Sequence, residues 1–272
     1  MEGRFKLKKR LDGKIAIIIG AGQQPGDTIG NGRAMSILFA REGAKIMLVD
    51  KNLDAAKETK SMIDKEGGIS FVFEADITQE NNCQRLADKC VEVYSKIDIL
   101  VNNVGTGTGD RKVVDLSEEV WDKIFDVNLK GMFFVCKYVL PVMEKQNSGS
   151  IINISSVAAV SAVRYVAYKI SKSGVNSLTH QLAMKYAKNG IRVNAIMPGL
   201  MNTPMAIEGI SKARGMSKED LIKLRNSMVP LKGGMGDAWD TANAALFLAS
   251  DEAKFITSVI LPVDGGQSSK IG

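Results

Sequence analysis

At 272 residues the chain is long enough to bury a full core without disulfides or metals, and single-domain α/β folds reach this size. Its 45% hydrophobic and 24% charged residues exclude the disordered, collagen-like and coiled-coil classes. The formal charge of +6 comes from basic residues spread along the chain, and with only 6% aromatics no stretch interleaves cations with rings, so no nucleic-acid partner is expected.

In chain order, residues 1–11 form a basic arm (Lys6, Lys8, Lys9, Arg10), expected to be solvated. A first strand follows at Lys14–Ile19; its apolar run is too short for a signal-peptide core and precedes no cleavage site. A glycine-rich turn leads to a helix at Gly32–Glu42, a strand at Lys45–Val49 and a helix at Leu53–Glu66. Then come a strand at Ser70–Glu74, a helix at Gln79–Tyr94, a strand at Ile97–Val101 and a long helix at Glu118–Lys145. Ser150–Ile154 (strand), Tyr165–Asn189 (helix), Arg192–Met197 (strand), Asp237–Ala249 (helix) and Val259–Pro262 (strand) complete the series. Apolar strands separated by helices predict an α/β fold: one domain over 12–272 with a doubly wound, Rossmann-like parallel sheet covered by helices on both faces. The Met-rich segment 200–231 fits neither a core strand nor a long core helix and reads as a substrate lid.

No apolar run reaches the ~18–20 residues of a membrane span, so neither membrane insertion nor membrane partners are expected. Three unpaired cysteines, Cys83, Cys90 and Cys136, suit a reducing compartment, and the expected location is cytoplasmic. The single histidine, His180, falls off the apolar stripe of its helix, which argues against histidine chemistry; with scattered cysteines it also argues against a zinc site, and no metal is expected.

The turn after the first strand runs Gly20-Ala21-Gly22-Gln23-Gln24-Pro25-Gly26-Asp27-Thr28-Ile29-Gly30-Asn31-Gly32. Glycines between strand and helix let the backbone approach a pyrophosphate, which the helix N-terminus attracts. Asp50 ends the second strand 18 residues after Gly32, where a carboxylate accepts hydrogen bonds from ribose hydroxyls and repels a 2′-phosphate. NAD is therefore expected over NADP, although Lys51 next door could offset a phosphate, and Asp50 could also simply cap a turn.

Further strings join the glycine turn: Ala75-Asp76-Ile77, Asn102-Asn103-Val104-Gly105, Asp126-Val127-Asn128-Leu129, Ile154-Ser155-Ser156, Tyr168-Lys169-Ile170-Ser171-Lys172, Pro198-Gly199-Leu200-Met201-Asn202-Thr203 and Pro262-Val263-Asp264-Gly265-Gly266. In this order the chain resembles the short-chain dehydrogenase/reductase family of NAD(P)-dependent oxidoreductases over about residues 12–268. It departs from the family's pattern in carrying about six extra residues in the glycine loop, so Gly20 and Gly22 are expected at the strand-end turn with Gln23–Ile29 bulging out. Ile19 and Val104 replace the usual Thr and Ala.

The resemblance implies hydride transfer between NAD(H) and a secondary alcohol or ketone. The alcohol must lose a proton as its hydride leaves, which needs a base with a pKa near the working pH. Tyr168 and Lys172 share a helix face, and an ammonium beside a phenol is expected to lower its pKa. Ser156, 12 positions before Tyr168, would hold the substrate oxygen, with Ser155 as the fallback. By resemblance, Asn128 would bind a water linking Lys172 to solvent, completing a Ser-Tyr-Lys-Asn tetrad. Also by resemblance, the cofactor would meet Gly20, Gly22, Gly30, Asn31, Gly32, Asp50, Lys51, Asp76, Ile77, Asn103, Gly105, Tyr168, Lys172, Pro198, Gly199, Met201 and Thr203.

Val157, Ala158, Arg164, Tyr165, Met201 and Met205 are expected to line the substrate pocket. One rival is an enoyl-thioester reductase of the same superfamily, because Tyr165 precedes Lys172 by the seven positions such enzymes use. Another is a non-catalytic NAD-binding subunit. The resemblance also implies a homotetramer or homodimer through the helices at Glu118–Lys145 and Tyr165–Asn189.

Overall fold

The computed structural model describes residues 9–161 and 165–270. The expected basic arm lies outside the described residues up to Lys8, and so does the pocket candidate Arg164. At its described end the arm is already part of the fold: Leu11 is fully buried and Arg10 pairs with Glu252 at 2.6 Å. An apolar side chain this close to the first strand gains more by entering the core than by staying solvated.

Seven strands form one parallel sheet: β1 (Ile15–Ile19), β2 (Lys45–Asp50), β3 (Ile69–Glu74), β4 (Ile99–Asn102), β5 (Gly149–Ile154), β6 (Ile191–Pro198) and β7 (Ile260–Val263). Their order is β3-β2-β1-β4-β5-β6-β7. The chain thus winds outward from β1 one way and from β4 the other, and the crevice between them opens at the C-terminal strand ends, where ligands bind in such sheets.

Alternation along β1 shows why both faces are covered. Ala16 and Ile18 pack beneath α1 (Asn31–Arg41) and α9 (Ala238–Ala249), whereas Ile15, Ile17 and Ile19 face α3 (Glu80–Tyr94), α5 (Gly131–Gln146) and α6 (Val166–Tyr186). Each fully buried isoleucine contributes on the order of 1.5–3 kcal/mol. α2 (Leu53–Lys65) starts at Asn52, whose side chain accepts from the amides of Asp54 and Ala55. Among the described residues no helix is long and apolar enough to cross a membrane.

Two segments add detail to the sequence expectation. The helix expected over Glu118–Lys145 is α4 (Glu118–Phe125) and α5 joined by a π-helical turn at Asp126–Lys130, which holds the buried Asn128. Such turns insert one extra residue per turn and recur at functional sites. Segment 200–231, expected to hold neither a core strand nor a long core helix, contains two short helices, α7 (Pro204–Arg214) and α8 (Lys218–Ser227). Their stops are local: Pro204 sits in the first turn of α7, Gly215 ends it in the left-handed region, and the Ser217 side chain caps α8.

Candidate active site

The turn after β1 is built around glycine for steric reasons. Gly20 has φ +76°, and a Cβ on Gly32 would collide with the Gly20 carbonyl and stand 2.7 Å from Asn103 Nδ2. Asn103 donates to that same carbonyl at 3.1 Å, tying the end of β4 to the turn. The extra loop residues fold on the Gln23 side chain, whose Oε1 accepts from the Gly30 amide (2.8 Å) and whose Nε2 donates to the Thr28 carbonyl (3.2 Å). The helix therefore still starts at Gly30–Gly32, and the insertion bulges as expected. It does not hang free: Gly26 packs on Pro204 and Glu208 of α7, and Lys218 of α8 bridges Asp27 (3.1 Å) and Glu208 (2.6 Å).

These residues fit a dinucleotide. The N-cap of α1, Gly30, supplies no side-chain acceptor and the first turn carries no acid, which leaves first-turn amides for an anion. Asn31 Oδ1, in that turn, is buried without a hydrogen-bond partner. Asp50 is held rigidly, accepting from Gly22 N (2.9 Å) through Oδ2 and Asn52 N (2.9 Å) through Oδ1. The turn-capping role left open for Asp50 is thus real, and it aims a carboxylate beside the glycine turn. Lys51 is exposed. Arg33 is committed to α2, donating to Thr59 and pairing with Glu58 at 2.8 Å.

Farther along the crevice, Asp76 accepts from the amide and hydroxyl of Thr78, while the Ile77 side chain enters the core against Gly131. Pro198 closes β6, and Gly199 lies so close to Asp264 that a Cβ would stand 2.6 Å from it. Met201 and Thr203 are buried; Thr203 is the N-cap residue of α7.

The four expected catalytic residues converge at the C-terminal end of β5. Ser156 follows the strand and its Oγ accepts from Ala158 N (3.1 Å). A hydrogen bond with Ser156 pulls the Tyr168 pKa down, but desolvation is larger and the phenol ends above its ordinary value. The expected lowering by Lys172 is therefore not found: its Nζ lies 5.9 Å from the centre of the Tyr168 ring and donates to the Ile154 carbonyl at 2.8 Å. Lys172 is itself buried, and desolvation pushes its pKa down to about 8. Ser155, the fallback, donates to the Lys172 carbonyl at 3.1 Å and so braces α6.

The Asn128 side chain makes three hydrogen bonds. Its Oδ1 accepts from Thr106 N (2.7 Å), and its Nδ2 donates to Thr106 O (2.9 Å) and Ser171 Oγ (3.0 Å). Both hydrogens of Nδ2 are thereby committed, and the second lone pair of Oδ1 is what the side chain has left to offer a water. Gly105 sits where a Cβ would stand 3.0 Å from Lys172 Nζ, and Gly107 lies against the Tyr168 ring.

Val157, Ala158 and Met201 are buried beside the site, whereas Tyr165 (39% exposed) and Met205 (54%) are open to solvent. Asp110 escaped the sequence reading: its carboxylate accepts from Val166 N, Ala167 N and Tyr168 N. No local motif marks it, because its partners lie 56 to 58 positions later. His180 is exposed and hydrogen-bonded to Ser258, away from this chemistry.

A family model described as enoyl-(acyl carrier protein) reductase matches residues 27–268. The 3-oxoacyl-[acyl-carrier-protein] reductase FabG of Thermotoga maritima is 37% identical over 94% of this chain and 98% of its own. The 7alpha-hydroxysteroid dehydrogenase of Clostridium sardiniense is 35% identical over 95% of this chain and 94% of its own. Among solved structures, carveol dehydrogenase from Mycobacterium avium in complex with NAD superposes with TM-score 0.88 at 29% identity, covering 96% of this chain and 100% of that one. Sheet order, glycine turn, Tyr168–Lys172 helix and these likenesses agree: the chain belongs to the short-chain dehydrogenase/reductase family of oxidoreductases.

Proposed function

We propose that the protein transfers hydride between NAD(H) and a secondary alcohol or ketone, with Tyr168 as the proton-transferring group. The observation that carries this reading is the convergence of the Ser156 hydroxyl, the Tyr168 phenol and the buried Lys172 ammonium at the sheet's C-terminal edge. Bound nicotinamide would supply the hydride acceptor or donor. The chain's own part is to orient the substrate and move its proton.

Ser156 binds the substrate oxygen and supports the charge that develops there. Tyr168 takes the hydroxyl proton in oxidation and returns it in reduction. Burial raises the Tyr168 pKa, so forming the phenolate needs a neighbouring positive charge. Lys172 holds its ammonium within the same desolvated volume, where it stabilises a phenolate once formed. Asn128 fixes Thr106 and Ser171 around this pair. The glycine turn and the first turn of α1 would hold the pyrophosphate, and Asp50 the adenosine ribose.

The enoyl-reductase reading would place the work on Tyr165. That residue is exposed at the start of α6, while Tyr168 is the one whose pKa burial raises and nearby Ser156 lowers. Substrates of the relatives' classes, a hydroxysteroid or an oxoacyl thioester, belong in the first screen.

NADH and NADPH titrations of the wild type and Asp50→Ala, followed by nicotinamide fluorescence and a screen of secondary alcohols and ketones, test the proposal. Tighter NADH binding in the wild type, with about a tenfold loss (~1.4 kcal/mol) in the variant and a relative gain for NADPH, supports it. Preference for NADPH in the wild type overturns the role of Asp50.

A further inference from the structure

We propose that Asp110 is a positioning residue for the reaction: its carboxylate docks the loop after β4 onto the first turn of α6 and so sets where the Tyr168 phenol stands. The inference rests on the reading of Tyr168 given above and extends it to a residue outside the tetrad.

A helix begins with amides that lack intrahelical acceptors, and these are ordinarily capped by a side chain just before the helix. α6 has no such local cap, since Tyr165 at the N-cap position provides no side-chain hydrogen bond. The acceptor comes instead from 55 positions upstream. Asp110 Oδ2 accepts from Tyr168 N at 2.7 Å, and Oδ1 accepts from Val166 N (3.2 Å), Ala167 N (3.3 Å) and Arg111 N (2.9 Å). The residue is only 6% exposed, so these bonds form largely out of water.

The same loop touches the reacting side chains. Gly107 lies against the Tyr168 side chain, and a Cβ there would stand 3.3 Å from Cδ2. Gly105 faces Lys172 Nζ, and Thr106 is clamped by Asn128 through two hydrogen bonds. Asp110 and Asn128 thus pin the two ends of a short loop that walls the Tyr168–Lys172 pair. Without the carboxylate, both the first turn of α6 and the wall beside the phenol lose their registration. Displacement of a reacting group by about 1 Å costs up to ~100-fold in rate.

Both oxygens are used by amides on the helix, so Asn cannot replace Asp without turning an NH2 toward an N–H. Asp110→Asn should therefore be intermediate and Asp110→Ala the more severe variant. The experiment compares both with the wild type in four readouts: amide exchange over 166–168, NADH affinity, thermal midpoint, and the kcat and KM for the alcohol or ketone found in the screen. Expected are exchange at least about tenfold faster at those amides, kcat lowered roughly 10- to 100-fold, and KM and NADH affinity within about twofold. Faster exchange with kcat unchanged overturns the proposal. So does a loss of kcat matched by equal losses of NADH affinity and thermal stability in both variants, which marks a purely structural residue. A wild type that turns over no alcohol or ketone overturns the reading of Tyr168, and the positioning role falls with it.

Discussion

Gly32 and the carbonyl of Gly20 stand so close that no Cβ fits between them. This contact joins the first turn of α1 to the end of β1 despite the inserted loop, because the insertion leaves the line of the crevice at Gln23 and rejoins it at Gly30. Strand and helix therefore meet as tightly as they would across a short turn.

Gly32→Ala should push α1 off the strand end, costing about 1–3 kcal/mol by overpacking. NADH affinity should fall more steeply than stability, since the amides of that turn are the proposed phosphate site. Denaturant unfolding and NADH titration on one preparation check the pair of effects.

Lys172 makes a pH prediction with a definite sign. Its folded pKa of about 8 lies below the ordinary 10.5, so below pH 8 the ammonium is charged in both states and its full burial cost is present. Between pH 8 and 10.5 the folded state sheds its proton first, the unfolded state binds more protons, and the wild type gains stability. Lys172→Met removes the charge. The variant should be more stable than the wild type at pH 7, by up to roughly 3 kcal/mol before loss of the bond to Ile154 is counted, and the gap should close toward pH 10. Urea unfolding of both proteins from about pH 7 to pH 10 measures it; a gap independent of pH would contradict the assignment.

The contact between the inserted loop and helices α7 and α8 predicts a small effect. Lys218 joins Asp27 and Glu208 at the surface, where solvent screens ion pairs and they add little to stability. Lys218→Ala should leave the thermal midpoint within a few degrees, because Gly26 still packs on Pro204. A larger fall would show that the bridge, not the packing, seats the loop.

The parallel sheet was legible in the sequence because its strands are apolar on both faces, as only strands covered from both sides need to be. Gly20, Gly32, Tyr168 and Lys172 were legible because their chemistry depends on spacing along a turn or helix. The π-helical turn at Asn128 was not, since its residues have the composition of an ordinary helix and only the buried bonds to Thr106 and Ser171 distinguish it. Asp110 was invisible for a similar reason: a cap supplied across the fold leaves no trace beside the helix it caps. The direction of the phenol's pKa shift was hidden too, because helical spacing puts Lys172 near Tyr168 without revealing that burial outweighs charge there.

The central claim, that Tyr168 moves the substrate's proton, is tested most directly by separating binding from turnover in Tyr168→Phe. The phenyl ring keeps the packing against Gly107 and removes only the hydroxyl. The account predicts NADH affinity within about twofold of the wild type and turnover of alcohol or ketone lowered by roughly 10²–10⁴. Turnover within a few-fold of the wild type would contradict it.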